Sequence, residues 1–538
     1  MKVIPQRLLY AMLYTDGTLS FQKNISITSG KTQDRNWEAE ESRPFVFNNY
    51  NDSNYWKAVG NNVKSVVFRD TVNINNLSMY FSNMRNISSI DYSGLNVNKV
   101  DNMYELHDNC FALTGSPVCW PNVTNFRAAY YNCTNLTGNP VCGNNVISMA
   151  SAYSGCFNIT GSPVCGDNVT NMVYTYNNCQ KLTGNPVCGN NVTNMSQTYK
   201  NCQKLTGNPV CGNSVTNMSQ TYNTCNNLTG DPVCGNNVTN MYNTYMRCYN
   251  LTGSPVCGDN VTFMYGTYYY CYNLTGDPVC GNNVVSMASA YSGCFNITGS
   301  PVCGDNVTDM SHTYQDCQKL TGNPVCGNNV TDMNQTYRNC YNLTGNSVCG
   351  NNVISMYSAY SGCYNLTGSP VCGNNVTNMS GTYYECNKLT GNPVCGNNVI
   401  YMDSTYFGCY NLTGSPICGN KVTSMIFTYY GCNNLTGSPV CGNKVTNMYF
   451  AYYNCENLSA GTSYFYSHNV SNAKNCFQGK NNSRRYNIHV PANSTTLNTF
   501  LKNDANSIVG AAITWANKSG AFYYNTAYNI YIYPNSSL

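Results

Sequence analysis

Cysteine is the residue type whose number and spacing offer the most chemistry in this sequence. Of the 32 cysteines, sixteen recur every 23 residues from Cys110 to Cys455, and we call these the first column. Fifteen more recur at the same interval from Cys119 to Cys441 and form the second column. The resulting C-x8-C pairs are compatible with disulfides or with thiols buried as small apolar side chains. We favour buried thiols, because both columns fall on positions that we expect to face a core. The spacing lacks the histidines of a structural zinc site, so we expect no metal.

The remaining reactive side chains are too scattered to predict an enzyme. The four histidines pair with no distinctive nucleophile, and no phosphate-binding glycine loop occurs. Asp167, Asp259 and Asp305 alternate with Asn in other repeats and are interpreted as turn residues rather than calcium ligands. Only 9% of the residues are charged and the net charge is +4, which disfavours nucleic-acid binding. We therefore predict no catalytic residues, no cofactor and no nucleic-acid partner.

The elements that would position these side chains follow from one 23-residue repeat, residues 192–214. Its recurring apolar positions are Val192, Met195, Tyr199, Cys202 and Leu205. Their steps of 3, 4, 3 and 3 residues are typical of one helix face, so we predict a short helix. The following Thr-Gly is expected to end it, and residues 208–211 are expected to be extended because proline fixes φ. The pattern predicts an α/β solenoid, with one short helix and one short extended segment in each coil.

The repeat resembles those of known surface proteins. Its pattern V-x-x-M-x-x-x-Y-x-x-C-x-x-L, followed by an extended segment, is similar to the BspA-like leucine-rich repeat surface proteins and to the tandem repeat of mycoplasma surface lipoproteins. Leu205, Val210 and Asn213 match the leucine-rich repeat strand L-x-x-L-x-L-x-x-N, whereas Asn208 and Pro209 depart from it. The resemblance implies leucine-rich-repeat-like coils and a role at a surface.

The chain divides into four segments by its repeat pattern. They are residues 1–60, a β-rich segment; residues 61–109, degenerate repeats that form an N-terminal cap; residues 110–456, fifteen repeats; and residues 457–538, a degenerate repeat and a β-rich cap. We predict a hairpin around Asp16 and Gly17. Residues 486–494 are expected to form a strand followed by a helix start, and residues 521–534 alternate like strands.

The compartment is predicted from the N-terminus and from the lack of long apolar runs. Lys2 and Arg7 precede a short apolar stretch, residues 8–14, but no A-x-A-like cleavage site follows, so we expect no signal peptide. No run of 18 apolar residues occurs, so we expect no membrane insertion. A surface-type repeat without an export signal fits a phage virion protein that is exposed after lysis. The predicted location is a virion or an extracellular surface.

Aromatic residues that flank the first cysteine column are the candidate ligand contacts. In other repeats the same positions carry Lys, Gln, Asn or Arg, a mixture that a core does not tolerate, so the rings are expected to face solvent. The predicted contact stripe is Tyr131, Phe157, Tyr249, Tyr269, Tyr272, Phe295, Tyr341, Tyr364, Tyr384, Phe407, Tyr410, Tyr430 and Tyr453. We predict that a host surface glycan or protein stacks on it; the alternative is that the rings cover neighbouring repeats or mediate fibre packing.

These features predict a non-enzymatic surface interaction protein. The preferred interpretation is a phage virion host-contact protein of the tail-fibre or receptor-binding type. The alternatives are a bacterial or protist adhesin of the BspA-like type and a self-assembling filament, whose partner would be a second copy of the chain. Residues 146–172 and 284–310 differ at two positions and lie 138 residues, or six repeats, apart. Such block duplication favours a structural role over catalysis.

Overall fold

The structure is a computed structural model that describes residues 8–40, 45, 54–458, 461–519 and 521–538. It separates into two compact units, one of residues 1–261 and 270–272 and the other of residues 262–269 and 273–538. Each unit combines a run of repeats with one β-sheet.

A five-stranded sheet begins the first unit. Its strands are β1 (Leu8–Tyr14), β2 (Thr18–Gln22), β3 (Gln33–Glu40), β4 (Ser65–Phe68) and β5 (Ser89–Asp91), in the order β3-β1-β2-β4-β5. β1 and β2 form the predicted antiparallel hairpin, in which Gly17 has a φ of +88° and the N–H of Thr18 donates to Oδ1 of Asp16 at 2.9 Å. β2, β4 and β5 pair in parallel, the same direction in which the repeats are joined.

Successive repeats within each unit are joined by parallel backbone hydrogen bonds. Asn194 forms a parallel bridge to Asn217, its equivalent one repeat later. After this bridge, alternate backbone N–H groups donate to carbonyls of the next repeat at 2.8–2.9 Å, namely those of Met195, Gln197, Tyr199 and Asn201. The backbone hydrogen bonds that hold a repeat are therefore directed towards its neighbour rather than along a helix axis.

The predicted short helix in each repeat is wrong. The segment that carries the Met, Tyr and first-column Cys is a series of turns, in which the N–H of Cys202 donates three residues back to the carbonyl of Tyr199 at 3.0 Å. Gln197 and Asn201 have φ values of 55° and 62°, left-handed conformations that do not occur inside an α-helix of L-residues. The steps of 3, 4, 3 and 3 arise because each turn returns an apolar side chain to the same side, as a helix would.

The α/β solenoid of leucine-rich-repeat-like coils is therefore not the fold of this chain. Within the described residues, the only α-helix is α1 (Thr495–Phe500), and the only other helices are 3-10 helices at Tyr55–Asn62 and Val97–Lys99. The extended part of the repeat forms no continuous sheet either: among residues 110–456, all described, one repeat contributes a strand, β6 (Val440–Cys441). Pro209 and its equivalents lack the N–H that a ladder needs, although Pro439 at the same position directly precedes β6.

The repeats bury five columns of side chains. Val192, Met195, Tyr199, Cys202 and Leu205 are fully buried, and so are their equivalents in both units. The buried tyrosine rings stack on one another, with the centroids of Tyr176 and Tyr199 5.6 Å apart. The hydroxyl of Tyr199 donates to the carbonyl of Val187 at 2.7 Å and accepts from its N–H at 3.0 Å. This pair of hydrogen bonds matters because a buried hydroxyl without a partner costs about 1–3 kcal/mol.

A six-stranded sheet ends the second unit. Its strands are β6, β7 (Thr462–Phe465), β8 (Tyr486–Pro491), β9 (Ala516–Lys518), β10 (Phe522–Asn525) and β11 (Ile530–Asn535), in the order β6-β7-β8-β11-β10-β9. The strand and helix start predicted at residues 486–494 are present as β8 and α1. Ser494 caps α1, because its Oγ accepts from the N–H of Leu497 at 3.0 Å.

Candidate functional site: the exposed aromatic residues

The two cysteine columns differ in burial. The first-column thiols are fully buried, and Sγ of Cys202 donates to the carbonyl of Tyr176 in the preceding repeat at 3.0 Å. The second-column thiols are half-buried, except for the buried Cys441, so they face the core only in part, whereas both columns were expected to face it. Burial raises the pKa of Cys188 to about 12, which makes it a poor nucleophile at neutral pH. All 32 cysteines are free thiols in this structure.

All thirteen residues of the predicted contact stripe are described, and each of them is half-buried or exposed. The most exposed are Tyr410 at 49%, Phe157 at 40% and Tyr364 at 37%. Those three are exposed, and the other ten are half-buried. Binding of a ligand there stays a prediction.

Four residues of the stripe form one continuous column on the second unit. The rings of Tyr384, Phe407, Tyr430 and Tyr453 stack in chain order, with each centroid 4.6 Å from the next and interplanar angles of 5–8°. Tyr410 lies beside this column, next to Gly431, the residue that follows Tyr430. A Cβ added to Gly431 would lie 3.5 Å from the ring of Tyr410. Two further pairs stack separately, Tyr249 with Tyr272 at 4.9 Å and Tyr341 with Tyr364 at 5.1 Å.

Three aromatic residues that the sequence analysis did not select extend this column. Phe427 lies 5.8 Å from Tyr430, and Phe450 lies 5.1 Å from Tyr453, measured between ring centroids. Tyr449 packs edge-on against Phe450 at 4.5 Å. We call these seven residues the aromatic cluster: Tyr384, Phe407, Phe427, Tyr430, Tyr449, Phe450 and Tyr453. A count of aromatic residues per repeat would not have found it, because the repeat at residues 261–283 has six rings, more than either repeat within residues 422–455.

The stacking decides which part of each ring a ligand can reach. Phe407 and Tyr430 each have a ring neighbour on both faces, so they present their edges to solvent. The edge of an aromatic ring is its electropositive part, which attracts oxygen acceptors rather than cations. Burial raises the pKa of Tyr430, so its phenol stays protonated at neutral pH and can donate a hydrogen bond. The cluster therefore suits a partner rich in hydroxyl and carbonyl oxygens.

Tyr131 lies in a different environment, on the wall of a cavity of about 270 Å³ in the first unit. Glu105, Asp108 and Arg127 also line this cavity. Burial, reinforced by the charge of Glu105, raises the pKa of Asp108 to about 6. Oδ2 of Asp108 accepts from Oγ of Ser82 at 3.2 Å.

Within the described residues, no group of three or more His, Cys, Asp and Glu side chains is arranged to hold a metal ion.

A known protein family matches the repeats of this chain. The family described as "Mycoplasma protein of unknown function, DUF285" matches residues 61–141, 168–278 and 286–414, which is more than half of the chain. The chain belongs to the DUF285 family. The repeated DUF285 matches confirm the predicted tandem repeat and its likeness to mycoplasma repeat proteins, whereas the BspA-like relationship and the virion stay predictions. No curated protein matches this DUF285 chain.

The DUF285 match and the aromatic cluster overlap only in part. The match ends at residue 414, so Tyr384 and Phe407 lie within it and the other five cluster residues lie beyond it. Across the part of the chain that the structure describes, no helix has the length and apolar character needed to cross a membrane.

Proposed function

We propose that this DUF285 protein is a non-enzymatic surface protein that contacts a host through the aromatic cluster. The observation that carries the proposal is the continuous column of four rings at 4.6 Å spacing. In other repeats the same position is Ser154, Ser292 or Ser361, so the fold does not require a ring there. Exposed tyrosines are common contact residues because they combine apolar area with a polar tip.

The chemistry of the cluster supports a neutral, hydroxyl-rich partner, such as a host glycan or a glycoprotein. Ring edges and phenol hydroxyls both complement sugar oxygens. Interior rings with covered faces do not offer the flat platform that the face-on stacking of a ligand would need.

The experiment compares two double variants of the full chain on an array of neutral oligosaccharides and on host cells. We expect Phe407→Ser with Tyr430→Ser to reduce binding at least tenfold, because both interior rings are lost. Serine already occupies this column, so the repeat should keep its fold. The matched control is Tyr249→Gln with Tyr272→Gln, which removes a stacked pair on the first unit in favour of a residue found in that column, as at Gln180.

Unchanged binding by the cluster variant would contradict the proposal. Equal losses in both double variants would show a general aromatic effect and would contradict it as well.

Whether a cell surface or a virion displays the protein is a separate part of the proposal. The family description names Mycoplasma, which favours display on a cell surface over the virion that the sequence analysis preferred. Immunogold electron microscopy of the native source separates the two, because antibody would label either the cell envelope or released virions. Labelling confined to the cell interior would contradict both.

A further inference from the structure

The C-terminal sheet of the second unit has a second solvent-facing aromatic surface. Side chains alternate along β7, β8 and β11, so that Phe465, Ile488 and Ile532 are buried on one face. The opposite face carries six rings that are half-buried or exposed: Tyr464, His489, Phe522, Tyr524, Tyr531 and Tyr533. We call this surface the sheet face.

The rings of the sheet face form a row across four paired strands. His489 of β8 stacks between Tyr464 of β7 at 5.1 Å and Tyr533 of β11 at 4.9 Å, measured between centroids. Phe522 of β10 continues the row, 5.3 Å from Tyr533. Because neighbouring rings cover one another's faces, this row presents ring edges to solvent.

An arginine is held in place beside this row. The guanidinium of Arg485 lies 3.8 Å from the ring centroid of Tyr531, its Nη2 donates to the hydroxyl of Tyr533 at 2.7 Å, and its Nε donates to Oδ1 of Asn487 at 2.9 Å. Arg485 is exposed and has no carboxylate partner among the residues that the structure describes. An oriented guanidinium without a counter-ion is suited to receive an anion.

The charge of this part of the chain points the same way. Residues 461–538 contain six lysines and arginines but one acidic residue, Asp504, which gives a net charge of +5 compared with +4 for the whole chain. Lys518 is exposed and lies 6.0 Å from the ring of Phe522. The positive charge of the protein is therefore concentrated in the segment that forms the sheet face.

We propose that the sheet face binds a carboxylate-bearing glycan, with Arg485 receiving the carboxylate. Guanidinium and carboxylate match in geometry and charge, and the ring edges and tyrosine hydroxyls complement sugar oxygens. Single-stranded nucleic acid fits less well, because its bases need open ring faces and its phosphates need several cations along a groove. The site is separate from the aromatic cluster and does not rest on the function proposed for it.

The test is isothermal titration of the full chain with oligosaccharides of hyaluronan, which carry a carboxylate on every second sugar. We expect saturable binding that Arg485→Gln weakens at least tenfold and that weakens further in high salt. The matched control is Lys502→Gln, which removes the same charge from an exposed residue just after α1. Binding should survive that change, and it should also survive Phe407→Ser with Tyr430→Ser.

Four outcomes would overturn the proposal. They are unchanged affinity in Arg485→Gln with the circular dichroism of the native chain, equal losses in Arg485→Gln and Lys502→Gln, equal affinity for uncharged chitin oligosaccharides, and tighter binding of a thymidine oligonucleotide than of hyaluronan. If Arg485→Gln does not fold, Tyr533→Phe replaces it, because that change removes only the hydroxyl that orients the guanidinium.

Discussion

The tyrosine that each repeat buries is held by its hydroxyl as well as by its ring. In most repeats this hydroxyl bonds to both backbone groups of the residue twelve positions earlier, as Tyr429 does with Ile417. Tyr452 is different, because its buried hydroxyl has no partner within the described residues. The equivalent backbone residue, Val440, belongs to β6 and pairs with β7 instead. Two adjacent tyrosines therefore share burial and stacking but differ in hydrogen bonding.

This difference predicts opposite results for one substitution. Tyr429→Phe should lower the free energy of unfolding by about 1–3 kcal/mol, since it leaves a buried N–H and C=O unpaired. Tyr452→Phe should leave stability unchanged or raise it slightly, because no hydrogen bond is lost. Urea unfolding followed by tyrosine fluorescence measures both variants. Equal destabilisation of the two variants would contradict the prediction, because it would show that the two hydrogen bonds of the Tyr429 hydroxyl do not set its contribution.

Residue patterns predicted exposure better than they predicted the site. Variable positions such as Phe407 and Tyr430 could be recognised because polar residues replace them in other repeats. Phe427 and Phe450 could not, because their ring contacts with Tyr430 and Tyr453 follow from how the turns fold and not from the spacing of one repeat. Arg485 was also missed, since only strand pairing brings it to Tyr531 and Tyr533.

Turns, rather than helices, are the elements that build each repeat. Glycine takes part at the Thr-Gly position, where Gly207 has a φ of +78° and packs against Asn185 of the preceding repeat. Gly115 occupies the same position at the start of the array with a φ of +90°, but a Cβ there would meet no atom within 4 Å. A side chain at Gly115 would therefore meet backbone strain alone, whereas a side chain at Gly207 would meet both strain and crowding from the preceding repeat.

Alanine substitution at these two positions should therefore differ in effect. Gly115→Ala should destabilise the first unit by about 1–2 kcal/mol, the strain of a left-handed L-residue. Gly207→Ala should destabilise it by more, because the added Cβ would also overlap Oδ1 of Asn185. Thermal unfolding of both variants tests the order. A larger effect at Gly115 would contradict the packing seen between repeats.

One position of the repeat, the residue before the first-column Cys, argues against the helix that the apolar spacing predicted. The position before the first-column Cys is Asn132, Gly155, Asn178, Asn201 or Gly293 in different repeats. Asn and Gly are the residues that enter left-handed conformations most readily, and all five have positive φ. Apolar periodicity identified the buried side correctly, but it could not distinguish a helix from a series of turns.

At the scale of the whole molecule, one repeat is the unit that can be added or removed. The parallel bridges of the described array mostly join equivalent residues of neighbouring repeats, as with Asn194 and Asn217. Deleting residues 192–214 should therefore give a folded chain, because Asn191 then precedes Val215 in the same register. Deleting residues 192–203 breaks that register and should abolish cooperative unfolding of the first unit. Near-ultraviolet circular dichroism of the stacked tyrosines measures both chains, and equal spectra would contradict this prediction.

The near-identity of the repeats has a consequence for folding. Residues 146–172 and 284–310 offer almost the same side chains and hydrogen-bonding groups, so contacts alone cannot tell a neighbouring repeat from one six places away. Closing a short loop loses less chain entropy than closing a long one, which favours the adjacent repeat. Chain connectivity, rather than side-chain identity, therefore specifies which repeat pairs with which.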